Sequence, residues 1–229
     1  MRSTNDKKLV IAIDGPAGAG KSTLASRIAR KHGYLNIETG AMYRALALKA
    51  IWSDVSFDEE DALLKLAQSS RITLEPQIDG NRVILDGQNV SERIREQDVT
   101  DSASKVSVHP RVREWMVARQ REMGQKGGVV MEGRDIGTKV FPDADVKIFL
   151  DAAPEVRGMR RFKQHESGTN QQAESVLKEM RERDQRDRSR KNSPLEPAAD
   201  AIIIDSTNMT LEEVIAKSEQ IISEKLKDI

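Results

Sequence analysis

The chain carries Gly15-Pro16-Ala17-Gly18-Ala19-Gly20-Lys21-Ser22 directly after the apolar run Leu9-Val10-Ile11-Ala12-Ile13. Two glycines five positions apart, followed by Lys and Ser, form the P-loop pattern. The glycines let backbone N–H groups turn into one concavity that can hold phosphate oxygens. In this pattern the lysine contacts the outer phosphates and the hydroxyl of Ser22 binds Mg²⁺.

Residues 22–32 predict a helix behind this loop, because apolar residues recur on one face and Gly33 offers a stop. The partly positive N-terminus of that helix would point at the phosphates. A glycine-rich turn without a ligand is the alternative, and the strand and helix on either side disfavour it. The motif therefore predicts a site for a nucleoside triphosphate.

The composition excludes several classes of protein. Lys plus Arg and Asp plus Glu both number 37, so no net positive charge is available for a nucleic-acid backbone. The absence of cysteine excludes disulfides and thiolate zinc sites. No signal peptide or membrane-spanning run is recognisable, and we expect a soluble, cytoplasmic monomer without nucleic-acid or membrane partners.

Strands and helices alternate along the 229 residues, which predicts an α/β fold with a parallel sheet and helices on both faces. The predicted strands are residues 9–14, 34–37, 128–131, 146–150 and 201–205. The predicted helices are residues 22–32, 41–52, 59–69, 111–126, 174–190 and 211–226. Ligands of such sheets bind beyond the carboxyl ends of the strands, where the P-loop, Glu132 and Asp151 would lie.

Two regions break this alternation. Residues 71–90 predict an antiparallel hairpin with a turn at Asp79-Gly80, inside an inserted subdomain over residues 39–108. Residues 154–193 are rich in Arg, Asp, Glu and Gln, and we expect them to form a mobile lid. The core would then comprise residues 1–38, 109–153 and 194–229.

Phosphoryl transfer needs positive charge around the transferring group, so arginines are expected to serve it in addition to Lys21. Thr39 is predicted to cap a helix that carries Arg44 one turn further on, which suits a second phosphate. An ordinary capped helix with an exposed arginine is equally consistent with that segment. Arg134 and Asp135 follow a predicted strand, so they should pair with each other or with a ligand.

A third group lies on the helix that ends near residue 190. Arg183, Asp187 and Arg190 fall on one face of it, although a solvated, salt-bridged helix is the simpler interpretation. Solvation is also the simpler interpretation for Arg157, Arg160 and Arg161.

Together these segments resemble the bacterial cytidylate kinases, a family of nucleoside monophosphate kinases. The resemblance rests on residues 13–23, 39–44, 133–138 and 182–188, and it runs from about residue 8 to the end. It implies transfer of the γ-phosphoryl group of ATP to CMP, with dCMP as a second acceptor and Mg²⁺ as a cofactor. It also implies that ATP is bound by a run of loop residues: Gly15, Pro16, Ala17, Gly18, Ala19, Gly20, Lys21, Ser22 and Thr23.

By position, the resemblance assigns the remaining site residues. Thr39, Arg44, Arg134 and Arg190 would hold the CMP phosphate, and Lys21, Arg134 and Arg190 would be catalytic. Arg183 and Asp187 would face the ribose. Ser104, Arg113 and Asp135 would read cytosine. Glu132 stands where aspartate is expected in many relatives.

The cytosine assignment has a chemical basis, because the carboxylate of Asp135 can accept from the 4-amino group. Uracil would present an acceptor there, at a loss of roughly 1–3 kcal/mol. Three rival functions remain open: a phosphotransferase of the same fold with another acceptor, such as UMP or a small metabolite; a nucleotide-hydrolysing switch with a protein partner; and an ATP-binding module without activity. The sequence holds no Asn-Lys-x-Asp segment, which disfavours a GTPase.

Overall fold

A computed structural model describes residues 8–77, 80–165 and 173–227. The strands are β1 (Val10–Asp14), β2 (Leu35–Glu38), β3 (Ile72–Gln77), β4 (Gly80–Leu85), β5 (Gln88–Asn89), β6 (Val129–Gly133), β7 (Val146–Asp151) and β8 (Ile202–Asp205). The helices are α1 (Lys21–His32), α2 (Thr39–Trp52), α3 (Glu60–Gln68), α4 (Gln97–Val106), α5 (Pro110–Gly124), α6 (Pro154–His165), α7 (Ala173–Ser189) and α8 (Leu211–Lys227). A 3₁₀ turn at Arg93–Arg95 and a π-helical turn at Ile136–Val140 complete the described elements.

The central sheet has five parallel strands in the order β2-β6-β1-β7-β8 within the described residues. All five predicted strands are confirmed, with ends that differ by at most two residues. One face of the sheet packs on α1 and α8 through an apolar cluster that includes Leu24, Ile28 and Ile222. The other face packs on the π-helical turn and on α5, through a cluster that includes Met131, Ile136 and Met123. The predicted α/β fold with helices on both faces is therefore confirmed.

The predicted hairpin is also confirmed, since β3 and β4 pair antiparallel and β5 adds a short third strand. Its predicted turn residue Asp79 lies outside the described residues. A separate apolar cluster supports this part of the chain and includes Leu46, Leu63 and Met116. The sequence did not predict α4, because its buried face includes the polar residues Thr100 and Ser104, which weaken the apolar periodicity.

The segment predicted as a lid contains two helices, α6 and α7, of which the sequence predicted only the second. The sequence of α6 contains few aliphatic residues, because charged side chains in ion pairs occupy much of its buried face. Arg157 on α6 is 4% exposed, and its ion-pair partner Asp184 on α7 is 8% exposed. Among residues 8–77, 80–165 and 173–227, no helix combines the length and apolarity needed to cross a membrane.

Candidate active site

The P-loop connects β1 to α1 at the carboxyl edge of the central sheet. Gly15 has a φ of +147°, and a Cβ atom there would overlap the backbone oxygen of Leu150 on the neighbouring strand. Gly20, at the N-terminal boundary of α1, has a φ of +98°, which L side chains rarely adopt. These two glycines therefore set the curvature that turns the loop toward the cleft.

Lys21 is the first residue of α1, and its Nζ donates to the backbone oxygen of Pro16 at 2.8 Å. The side chain is buried, and burial together with the charge of Arg134 lowers the pKa of Lys21 to about 7. A lysine whose charge is so weakly compensated is stabilised by an anion nearby. The loop thus presents an ammonium group that a phosphate would favour.

Two carboxylates lie beside this lysine. Glu38 and Glu132 are register partners on the adjacent strands β2 and β6. Burial, and after it the negative charge of Glu38, raise the pKa of Glu132 to about 7, while a hydrogen bond with the Ser22 side chain opposes the shift. The Oε1 atom of Glu132 is buried and has no hydrogen-bond partner among the described residues.

Ser22 and Glu132 fit a bound Mg²⁺, because hydroxyl and carboxylate oxygens are ligands that Mg²⁺ prefers. Within the described part of the chain, no group of three or more His, Cys, Asp or Glu residues could hold a metal by itself. The arrangement suits an ion that is also bound by substrate phosphates, which is common for Mg²⁺.

An arginine cluster, formed by Arg44, Arg134, Arg183 and Arg190, lines the same cleft as Lys21. Asp187 accepts from Nε of Arg134 at 2.9 Å and from Arg190, while Arg44 pairs with Glu38. Burial, and then the charge of Arg134, lower the pKa of Arg183 to about 10. Four guanidinium groups thus face two carboxylates, and the surplus positive charge favours an anion.

A third set of polar groups also lines the cleft. Arg113 donates to Asp135 at 2.5 Å and to the backbone oxygen of Ser107 at 3.0 Å. Its guanidinium lies 5.6 Å from the centre of the Tyr43 ring, within the range of a cation–π interaction. The buried Oγ of Ser104 has no hydrogen-bond partner in the described residues. These groups can donate to and accept from a heterocyclic base.

The side chains of α6 contact the P-loop directly. Arg157 donates to the backbone oxygen of Ala17 at 3.0 Å and to Asp184 of α7 at 2.5 Å. Arg160 donates to Oγ of Ser206 at 2.9 Å. The prediction that these two arginines are solvated is wrong, because each satisfies its donors on backbone carbonyls and side chains that are distant in sequence.

One cleft of about 1720 Å³ joins these three regions. Most of the predicted site residues line it: Ala17, Gly18, Ala19, Gly20, Lys21, Ser22, Thr23, Thr39, Arg44, Ser104, Arg113, Arg134, Asp135, Arg183, Asp187 and Arg190. Gly15 and Pro16 support the loop without lining the cleft. Glu38 and Tyr43 also line the cleft, and sequence reasoning missed them although they lie within or beside the segment of Thr39. Arg161, which was interpreted as solvated, lines the cleft as well.

Three details of the sequence-based prediction are corrected. Thr39 is not the helix cap, since Glu38 takes that position and the Thr39 hydroxyl donates to the backbone oxygen of Glu132 at 2.8 Å. Of the two alternatives for Arg134 and Asp135, pairing with each other is wrong, because their side chains diverge to Asp187 and Arg113; binding of a ligand stays a prediction. The Asp187–Arg190 pair exists, but Arg190 follows the last residue of α7.

A P-loop at the carboxyl edge of a parallel sheet, facing a second site rich in arginine, defines a P-loop kinase. A solved structure of a gluconokinase from Sinorhizobium meliloti 1021 shares this fold, with a TM-score of 0.51 at 15% identity over 96% of this chain and 95% of that one.

The family model of cytidylate kinase matches residues 11–224. The chain is 48% identical over 208 residues to a cytidylate kinase of Aeromonas salmonicida (strain A449), covering 90% of each chain. It is 47% identical over 219 residues to a cytidylate kinase of Enterococcus faecalis (strain ATCC 700802 / V583), covering 95% of this chain and 97% of that one. The chain belongs to the cytidylate kinase family.

Proposed function

We propose that this chain transfers the γ-phosphoryl group of ATP to CMP, and to dCMP, giving ADP with CDP or dCDP. The observation that carries the proposal is that the P-loop with Lys21 and the arginine cluster line one continuous cleft. The P-loop suits the phosphates of one ligand, and the arginine cluster suits the phosphate of a second. The two ligands would therefore lie with their phosphates next to each other in the cleft. Membership of the cytidylate kinase family supports CMP as the acceptor.

The donor would be bound by residues 15–23, with backbone N–H groups around its phosphates and Lys21 on the outer ones. Lys21 would exchange its hydrogen bond with Pro16 for phosphate oxygens, which stabilise its charged form. Ser22 and Glu132 would hold Mg²⁺, which, when bound, neutralises charge on the transferring phosphates.

The acceptor phosphate would lie among Thr39, Arg44, Arg134 and Arg190. Its attacking oxygen is already an anion, so transfer in line requires no general base. Lys21, Arg134 and Arg190 would stabilise the charge that develops on the transferring group. Exclusion of water by the lid would limit hydrolysis of ATP without an acceptor.

The nucleoside of the acceptor would be recognised by two sets of residues. Arg183 and Asp187 would face the ribose. Asp135 would accept from the 4-amino group of cytosine, while Arg113 and Ser104 would donate to the opposite edge. The unpartnered hydroxyl of Ser104 supports this role, since a buried hydroxyl without a hydrogen bond is destabilising.

We also propose a division of the chain into a core, an insertion and a lid. Residues 39–108 would be the monophosphate-binding insertion, residues 154–193 the lid, and residues 1–38, 109–153 and 194–229 the core. We further propose a cytoplasmic monomer whose partners are small molecules, without nucleic acid or membrane.

A substrate panel tests this proposal. ADP release is measured in a coupled assay with ATP and Mg²⁺ while CMP, dCMP, UMP and AMP are offered in turn. We expect fast release with CMP and dCMP, and slow release with the others or without an acceptor. Equal rates with CMP, UMP and AMP would contradict the assignment of the acceptor. Equal rates with and without an acceptor would indicate a hydrolase instead.

A further inference from the structure

Asp14 is the last residue of β1, immediately before the P-loop. Its carboxylate is buried, at 5% exposure for the residue, and accepts two backbone hydrogen bonds. The N–H of Ile136 donates to Oδ1 at 2.8 Å, and the N–H of Gly137 donates to Oδ2 at 2.7 Å. These two N–H groups belong to the first residues of the π-helical turn, so Asp14 fixes the start of that turn.

The short segment Arg134-Asp135 is thereby anchored on both sides by one residue. Before it, Gly133 is the register partner of Asp14 in the β1–β6 ladder. After it, the amides of Ile136 and Gly137 bind the carboxylate of Asp14. From this point the Arg134 side chain extends to Asp187 and the Asp135 side chain extends to Arg113. A shift of the backbone here would therefore displace both side chains.

An aspartate suits this task better than its neutral isostere. Each of its two oxygens accepts from one of two successive N–H groups, whereas asparagine offers one acceptor and turns an NH₂ donor toward the other N–H. The ionised carboxylate lowers the stability of the fold, because burial disfavours its charge and raises the pKa of Asp14 to about 6. A residue that lowers stability at neutral pH and yet fixes the acceptor loop fits a functional role.

We propose that Asp14 is a positioning residue that sets Arg134 and Asp135 for recognition of the acceptor, and so links the P-loop strand to the choice of base. Asp14 touches no substrate in this scheme and acts through the backbone of the loop. The inference rests on the proposed function, because the acceptor roles of Arg134 and Asp135 belong to that proposal.

The test compares the full chain with Asp14→Asn in steady-state kinetics with CMP, UMP and ATP. We expect the KM for CMP to rise about tenfold, as for the loss of a hydrogen bond in the site. The ratio of kcat/KM for CMP to that for UMP should fall by a similar factor, while the KM for ATP changes by less than about twofold. If Asp14 served only the stability of the fold, its replacement would change kcat/KM for CMP and for UMP by the same factor.

Asp145→Asn is the matched control. The Asp145 carboxylate accepts from the N–H of Val10 at 2.9 Å, at the opposite end of the same strand β1. This variant also weakens a hydrogen bond between a carboxylate and a backbone amide of β1, but far from the cleft. We expect it to leave the CMP-to-UMP ratio unchanged. Equal changes of that ratio in both variants would overturn the proposal.

The remaining outcomes are equally decisive. If the wild-type chain prefers CMP and Asp14→Asn keeps both that preference and the KM for CMP, this inference fails and the proposed function stands. If the wild-type chain shows no preference, the proposed function fails first. Circular dichroism monitors folding, and Asp14→Ser replaces the asparagine variant if the latter does not fold. Failure of both variants to fold would assign Asp14 to stability alone and overturn the proposal.

Discussion

Nε of Arg134 donates to Oδ2 of Asp187 at 2.9 Å, which joins the end of β6 to α7 across the cleft. The other oxygen of Asp187 accepts from Arg190. One buried carboxylate therefore orients two of the arginines proposed to bind the acceptor phosphate. Charges that are already oriented need little reorganisation when a transition state forms between them.

We expect Lys21→Ala to lower kcat by about a thousandfold, because the variant lacks the ammonium that stabilises the transferring phosphoryl group. The fold should persist, since the buried charge of Lys21 is only weakly compensated. Lys31→Ala in the last turn of the same helix is the control, because Lys31 is exposed and pairs at the surface with Glu219. A near-normal kcat in Lys21→Ala, measured in the coupled assay, would exclude the proposed donor site.

We expect Asp135→Asn to reduce the preference for CMP over UMP by at least about tenfold. The new amide group can donate a hydrogen bond to O4 of uracil, whereas the wild-type carboxylate is itself an acceptor and repels that oxygen. The variant should also melt at a lower temperature, because Arg113 loses its buried ion-pair partner. Unchanged discrimination in kcat/KM, whatever the melting temperature, would show that Asp135 does not read the base.

Stability should respond to pH through Asp14, whose pKa is raised by burial from 3.8 to about 6. The folded state binds this proton more tightly than the unfolded state, so the stabilisation is complete below pH 3.8 and is lost as the pH rises through 6. Relative to Asp14→Asn, the wild-type free energy of unfolding should fall by about 2 kcal/mol between about pH 4 and 7. Urea titrations at several pH values measure this difference, and a difference that is flat with pH would show that the Asp14 carboxyl is not the titrating group.

We expect Arg157→Ala to destabilise the chain by about 3 kcal/mol, because it leaves the Asp184 carboxylate buried without its partner. Arg181→Ala is the matched control, since Arg181 also pairs with a carboxylate between α6 and α7, at 2.7 Å from Glu155, but both side chains are more than half exposed. Its effect should be below about 1 kcal/mol. Similar losses in urea unfolding for the two variants would show that the buried Arg157–Asp184 pair stabilises the fold no more than the exposed pair does.

The central fold was predictable because its signals are local. Each core strand is a short apolar run, and the apolar positions of α1 repeat at helical spacing up to Gly33. The P-loop identifies the first strand, and alternation with helices then requires a parallel sheet. The hairpin followed from its two short strands around a glycine.

The site was less predictable, because partner choice among many charges depends on the fold. Arg157 and Asp184 are 27 positions apart, and nothing in their spacing distinguishes them from solvated neighbours. The diverging partners of Arg134 and Asp135 likewise depend on where α7 and α5 pack. The role of Thr39 was mistaken for a cap because its hydroxyl has a competing acceptor, the Glu132 carbonyl on the neighbouring strand.

The most direct test of two nucleotides bound end to end is a calorimetric titration of CMP into the chain saturated with a non-hydrolysable ATP analogue and Mg²⁺. We expect one CMP to bind per chain while the analogue stays bound. A CMP that binds only by displacing the analogue, or that fails to bind at all, would contradict a cleft with separate donor and acceptor sites.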